Sequence, residues 1–314
     1  MRPSTGRGWA ALTLAAAACV AATAFAFGSQ QAPRKDAQPE TSPGPAIVTP
    51  GGSASKQTVT LVAAGDIGSS PTDSKATADL VQALHPDAVL PLGDNAYDEG
   101  SERNYARKYD PTWGRFKDIS EPVPGNHEYR TSGAEGYFTY FQAQPSTQSY
   151  YAWNAGAWRL YALNCEIDCR KGSAEETWLR KGLAAHPNTP ALAYVHRPRF
   201  TCSTKHEPYT DLTAIWDDLV AADGRLMLAG HNHSYERFAL LDGEGRPNAD
   251  GLRQFVVGTG GAELYPLKPD CPNRQAQDDT TKGVLKLTLS PTSYQWQFVS
   301  VTGKVLDEGS ETVS

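Results

Sequence analysis

Residues 58–68 read T-V-T-L-V-A-A-G-D-I-G. The run from Thr58 to Ala64 is apolar and rich in β-branched residues, and it ends without a spacer in Gly65-Asp66. That places an acid at the C-terminal end of a strand. The same design recurs down the chain. Ala88 to Leu92 leads into Gly93-Asp94-Asn95-Ala96-Tyr97, and Val123-Pro124 leads into Gly125-Asn126-His127-Glu128. Pro190 to Val195 ends in His196, and Leu226 to Ala229 ends in Gly230-His231-Asn232-His233. Between these strands, Ala76, Leu80, Val81 and Leu84 recur at helical spacing within Thr72 to Leu84. Further helices are expected over Ala174–Ala185 and Asp211–Ala221. Strands alternating with helices indicate an α/β core, and such sheets build their sites at strand C-terminal ends. One Asp after a strand is common. Five polar clusters in the same topological position argue for one shared site.

The remaining segments read as hairpins. Tyr150–Trp153 and Trp158–Leu163 flank the expected turn Asn154-Ala155-Gly156. Tyr235–Leu241 and Leu252–Gly258 lie on either side of Asp242-Gly243-Glu244-Gly245. Gly283–Leu289 and Tyr294–Val299 alternate well, and the turn Thr302-Gly303 follows them. There is no internal repeat, and residues 57–314 are long enough for one sizeable core.

The N-terminal part has another character. Arg2 and Arg7 precede an uncharged run from Trp9 to Phe27, and Ala24-Phe25-Ala26 offers a small-x-small cleavage site. Residues 1–27 therefore read as a secretory signal peptide, with an uncleaved membrane anchor as the rival. Residues 28–56 are a Pro/Ser/Gly-rich flexible linker. With Cys19 in the leader, an exported chain keeps Cys165, Cys169, Cys202 and Cys271. Disulfides are the first expectation for such a chain, and four cysteines allow three pairings. Cys165 and Cys169 are close enough for a local closure, which leaves Cys202 with Cys271. The second link would brace the loop carrying His206. A structural metal on these thiols is the weaker alternative, because C-x3-C spacing suits it poorly. The net charge of −6, with no basic tract, gives no expectation of specific nucleic-acid binding.

The strand-end clusters supply two carboxylates, a phenol, an amide and several imidazoles. This oxygen-and-nitrogen set suits two hard or borderline metal ions, and paired ions are a standard device for hydrolysing phosphate esters. Taken singly, each residue has a plainer reading. Asp66 or Asp94 would cap a helix, Asn126 would serve a turn, and Tyr97 would pack as an aromatic. The ordered set is what carries the assignment.

The order G-D-x-G, G-D-x-x-Y, G-N-H-E, an isolated His and G-H-x-H resembles the metallophosphoesterase (calcineurin-like) superfamily. Tyr97, three positions after Asp94, and Gly68 where many members carry a His make it most similar to the purple acid phosphatase branch. Gly230 to Arg237, G-H-N-H-S-Y-E-R, adds to the match. The resemblance spans about Thr58 to Val299. The linker leaves no room for the N-terminal β-domain of the large plant-type members, so the chain looks most like compact exported bacterial members.

The resemblance implies a four-layer α/β/β/α sandwich: two mixed sheets face to face, with helices outside. It implies Fe(III) held by Asp66, Asp94, Tyr97 and His233. The second ion, Fe(II), Zn(II) or Mn(II), would be held by Asp94, Asn126, His196 and His231, with Asp94 bridging. Within that frame a metal-bound hydroxide attacks phosphorus in line. His127 contacts the phosphate or protonates the leaving alkoxide, and His206 is a second outer histidine. Arg197 and Arg199 are further candidates for pairing with an anionic substrate, although surface solvation suits at least one of them better. The expected function is an exported acid-phosphatase-type phosphomonoesterase acting on a small phosphorylated substrate. Its membrane contact would depend on retention of the N-terminal segment. The alternatives are a phosphodiesterase or nucleotide hydrolase with the same centre and, more remotely, a non-catalytic cell-surface binding protein.

Overall fold

The computed structural model describes residues 58–142 and 149–313. The expected signal peptide and the linker lie outside the described residues. Among the described residues, twelve strands form two sheets. The strands are β1 Val59–Ala64, β2 Ala88–Pro91, β3 Tyr151–Ala155, β4 Trp158–Ala162, β5 Ala191–Val195 and β6 Leu226–Ala229. They continue with β7 Tyr235–Leu241, β8 Leu252–Val257, β9 Arg274–Asp278, β10 Gly283–Ser290, β11 Ser293–Ser300 and β12 Val305–Thr312. The α-helices are α1 Pro71–Leu84, α2 Glu102–Asn104, α3 Glu135–Phe141, α4 Ala174–Ala185 and α5 Thr213–Ala221. The five-stranded sheet runs β12-β11-β10-β1-β2 and the seven-stranded sheet runs β3-β4-β5-β6-β8-β7-β9.

Both sheets are mixed. β1 and β2 are parallel, as are β4, β5, β6 and β8, and the remaining pairs are antiparallel. The period-2 geometry of strands accounts for the layering. On β5, Leu192 and Tyr194 join the core that contains Leu61, Leu287 and Phe298 of the other sheet. Their neighbours Ala191, Ala193 and Val195 pack instead with Leu179 of α4 and Ile215, Trp216 and Leu219 of α5. β6 divides in the same way, with Leu226 and Leu228 facing the other sheet and Met227 facing the helices. α1 packs against β10 and the 113–119 turn. This is the expected α/β/β/α sandwich.

The three long helices begin and end close to where the sequence pattern placed them. Ser70 caps α1 by accepting from Asp73 N, with Pro71 in the first turn. Ser173 caps α4 through Glu176 N. Three features differ from expectation. The β3–β4 turn is Gly156-Ala157 rather than Asn154-Ala155-Gly156, because the strand pairing continues to Ala155↔Trp158. β9 and β12 carry no strand signal in sequence: β9 pairs only with β7 and β12 only with β11, so each is an edge strand with few buried side chains. Edge strands commonly carry polar and charged residues, which removes the apolar alternation used to find strands. Finally, residues 102–141 form short helical turns around a cluster of Tyr105, Tyr109, Tyr140 and Phe141.

Cys165–Cys169 and Cys202–Cys271 are both disulfides, with Cα separations of 5.2 and 5.8 Å. Their sulfurs are thereby spent, which removes the thiolate-metal alternative. The second link acts with backbone bonds from Thr204 N to Pro266 O (3.1 Å) and from Lys268 N to Cys202 O (2.8 Å). Together they fasten the segment carrying His206 to the 265–271 segment. Among the described residues no helix is long and apolar enough to cross a membrane.

Candidate metal centre

The parallel strands β1, β2, β5 and β6 end at one edge of the sandwich, and the polar residues that follow them converge there. Asp66, Asp94 and His231 all have positive φ, at 60°, 48° and 68°. Non-glycine residues rarely adopt this conformation, and it is concentrated at functional sites. Here it turns each side chain sharply off its strand. Gly93 has φ 84°, and a Cβ there would collide with the His196 ring. A Cβ on Gly125 would collide with Asp94. Both glycines therefore let neighbouring strand ends close on each other.

The side chains gather into two groups of donor atoms. In the first, Tyr97 Oη lies 3.0 Å from Asp66 Oδ1, 3.2 Å from Asp94 Oδ2 and 3.2 Å from His233 Nε2. His233 Nε2 is in turn 3.2 Å from Asp66 Oδ1. In the second, His196 Nε2 lies 3.3 Å from Asp94 Oδ2, 3.2 Å from Asn126 Oδ1 and 3.2 Å from His231 Nδ1. Asp94 Oδ2 belongs to both. His231 and His233 are not on a strand: residues 230–234 form a loop between β6 and β7, so side chains two residues apart reach different groups.

Proton counting tests whether these groups fit cations. His233 Nδ1 donates to Glu263 O (2.6 Å), so its Nε2 presents a lone pair in the neutral ring. The Tyr97 hydroxyl has one proton, yet three acceptors crowd it: Asp66, Asp94 and His233. Two buried acceptors are thus short of a donor, and a cation would satisfy them. In the second group His196 Nδ1 donates to Leu92 O (2.9 Å), which again leaves Nε2 for the site. Backbone support of this kind is usual behind metal-ligating histidines.

The electrostatics point the same way. Burial opposes charge on His196, yet the adjoining Asp94 carboxylate raises its pKa to about 10. The group therefore draws a positive charge, which a proton supplies when nothing else does. Asp94 is held below the usual carboxylate range despite its burial, chiefly by His196. Burial and the Asp66 carboxylate push the Tyr97 phenol well above its ordinary value. Phenolate would form there only beside a strong cation.

The other expected residues lie around these groups. His127 N donates to Asp94 Oδ1 (2.8 Å), and its ring sits 4.2 Å from that of Tyr97. His127 Nδ1 donates to Asp98 O (2.7 Å), and Nε2 stands 3.8 Å from Asp94 Oδ2. His206 is half-buried with its ring 4.2 Å from that of His231, and burial lowers its pKa. Arg197 pairs with Glu166, whereas Arg199 donates to Gly243 O (2.6 Å) and covers Phe200, away from the centre. His85 and His186 end α1 and α4 and take no part.

Sequence reasoning missed three contributors. Glu128 is fully buried and accepts from Asn95 N (2.9 Å), Ala96 N (3.1 Å) and Gly125 N (2.7 Å), which ties the Asp94 loop to the Asn126 loop. Burial and nearby Asp94 push its pKa up to about 8. Tyr265 stacks on His233, with centroids 4.0 Å apart. Glu166 orients Arg197. Glu128 alone left a signal, as the acid closing the 125–128 motif.

A family model described as calcineurin-like phosphoesterase matches residues 59–235. Among curated proteins, probable purple acid phosphatase 20 of Arabidopsis thaliana is 25% identical over 214 residues, covering 60% of this chain and 48% of that protein. Probable inactive purple acid phosphatase 24 of the same plant is 24% identical over 266 residues, covering 70% and 42% respectively. The chain thus spans about half, or less, of the length of these relatives. Among solved structures, purple acid phosphatase PPD1 from yellow lupin (Lupinus luteus) seeds aligns with a TM-score of 0.66 at 19% identity, covering 82% of this chain and 54% of that one. That is a likeness of fold.

Proposed function

The chain belongs to the calcineurin-like phosphoesterase family, and on that premise we propose that it is an exported, acid-phosphatase-type phosphomonoesterase with a dinuclear metal centre. The observation that most supports this reading is Asp94 Oδ2, shared by two groups of ligand atoms, the first short of protons and the second drawing a positive charge. Asp66, Asp94, Tyr97 and His233 would hold Fe(III), the ion best matched to phenolate. Asp94, Asn126, His196 and His231 would hold Fe(II), Zn(II) or Mn(II). Bound there, the two ions supply Lewis acidity and a reactive water at ordinary pH. The chain's own groups do the rest. His127 N–H fixes the orientation of Asp94, while Nε2 faces the centre, where the doubly protonated ring, its Nδ1–H kept on Asp98 O, donates a proton to the leaving alkoxide or contacts the phosphate. His206 adds a second polar ring beside His231. Export is supported by the signal-like leader and two disulfides.

Parallel assays on phenyl phosphate and its methyl diester, with Fe, Zn or Mn supplied, test the activity. The expected result is a larger kcat/KM for the monoester. A larger value for the diester would move the reading to a phosphodiesterase. One relative is named as inactive, so hydrolysis of neither substrate would favour a non-catalytic binding protein.

Tyr97→Phe tests the iron site. Iron-loaded wild type is expected to show a broad visible band from phenolate-to-Fe(III) charge transfer. The variant keeps the ring and its packing on His127, but it should lose the band and hold iron less tightly. Visible spectra and iron content measured on both proteins decide the matter, and an unchanged band would remove Tyr97 from the ligand set.

A further inference from the structure

The Glu166–Arg197 pair stands out because the proposed hydrolysis gives it no role, although Arg197 is a candidate for pairing with an anionic substrate. Arg197 Nε and Nη2 donate to the two oxygens of Glu166, at 2.7 and 3.0 Å. This two-point grip fixes the plane of the guanidinium and leaves Nη1 as its free end. Nη1 points at the centre, 3.3 Å from His231 Nε2. Glu166 is itself held. It lies inside the Cys165–Cys169 loop, and its N–H donates to Asn164 Oδ1 (3.1 Å). The guanidinium also lies over the Tyr209 ring at 5.4 Å, and Tyr209 Oη donates to Cys165 O (3.1 Å). The Glu166 side chain is 8% exposed and that of Arg197 25%. The cation is therefore rigid, partly desolvated and open on one side.

The other two histidines of the centre turn their outer nitrogen to a backbone carbonyl. His231 instead turns Nε2 to an arginine, which can only donate. Once Nδ1 is committed to an ion, the proton of a neutral ring resides on Nε2, which can no longer accept from Nη1. Both Nη1 N–H bonds are then free while Nε and Nη2 stay on Glu166. We propose that Arg197 is a specificity-determining residue that binds a second anionic group on the substrate. It stands one imidazole ring away from the clustered ligand atoms, where a second anionic group next to the phosphoryl group would meet it. The substrate class so favoured carries two adjacent anionic groups, as diphosphates do. This inference rests on the phosphatase reading above.

The test compares binding of inorganic pyrophosphate and inorganic phosphate to the metal-loaded protein by calorimetry, in wild type, Arg197→Gln, Arg197→Lys and Glu166→Gln. Elemental analysis follows the metal content of each. Wild type is expected to bind pyrophosphate more tightly than phosphate. Losing one charge-assisted hydrogen bond is worth about 1.5–3 kcal/mol, or about 10–100-fold in affinity. Arg197→Gln should lower pyrophosphate affinity by that factor, with phosphate affinity and metal content little changed. Arg197→Lys should recover part of the preference, and Glu166→Gln should weaken it by freeing the guanidinium. Three results would each overturn the assignment: no preference in wild type, an unchanged preference in Arg197→Gln, or a loss of metal in Arg197→Gln that lowers both affinities together. The last would make Arg197 a support for His231 only. Wild type that prefers pyrophosphate but hydrolyses no ester would sink the phosphatase reading and leave the anion site standing.

Discussion

Asp94→Asn is expected to leave the protein folded and strip it of most of its bound metal at both positions. Asp94 Oδ2 contacts Tyr97 Oη on one side and His196 Nε2 on the other, so one substitution removes an anionic ligand from both groups. The amide keeps an oxygen for the N–H of His127. Its nitrogen, placed where Oδ2 now lies, would present N–H bonds to positions that require a lone pair. Loss of an outer supporting partner commonly lowers metal affinity or activity by about 10–100-fold. Loss of a shared direct ligand should exceed that, so kcat/KM should fall by more than about 100-fold. The metal-free variant should melt below metal-free wild type, because the change removes the carboxylate that pairs with buried His196 at 3.3 Å. Elemental analysis and thermal melting check both halves. Asp66→Asn is the control: Asp66 offers one oxygen to the first group while the other accepts from His231 N (2.8 Å), a bond the amide oxygen can keep, so the change should cost one ion. Two ions per chain in Asp94→Asn would remove Asp94 from its bridging role.

His127→Ala should slow turnover while leaving both ions in place. His127 Nδ1 is committed to Asp98 O, so Nε2 is the nitrogen that faces the centre. Its 3.8 Å separation from Asp94 Oδ2 is too long for a ligand set built on contacts of about 3 Å, but suits a group that meets a bound substrate. Positioned proton transfer is typically worth about 10²–10⁴-fold. If His127 protonates the leaving alkoxide, the deficit should be large for an alkyl phosphate and small for p-nitrophenyl phosphate, whose leaving group needs no proton. Rates on the two esters, with metal content measured alongside, separate the roles. An equal deficit on both would mean that the imidazole binds the phosphate, and loss of metal would mean that it supports Asp94.

Much of the fold was legible because it rests on local pattern. The β1 and α1 segments, the apolar runs before Asp94, His196 and His231, and the strands of the three hairpins each announce themselves within about ten residues. Period and turn chemistry are properties of neighbouring residues. β9 and β12 were not legible. Their order comes from hydrogen bonds to a partner strand rather than from a buried face, and backbone pairing leaves no mark on side-chain choice. The β3–β4 turn shifted for the same reason: the ladder with β4 set the end of β3.

The site divides along similar lines. By itself the sequence determined which residues were candidates and in what order, since Asp66, Asp94, His196 and His231 each follow a recognisable strand. Tyr97 is three residues from Asp94, and one cysteine pair, Cys165 with Cys169, stood out by spacing and left Cys202 with Cys271. Only the tertiary structure decided that one oxygen of Asp94 serves both groups, and that His231 and His233 diverge because Gly230 to Ser234 is a loop. It also brought Glu128 against three backbone N–H groups, and Glu166 against Arg197 across 31 positions of chain. These contacts join segments whose own patterns carry no information about each other. Their energies depend on distances of about 3 Å between distant parts of the chain, and such distances exist only once both sheets have packed.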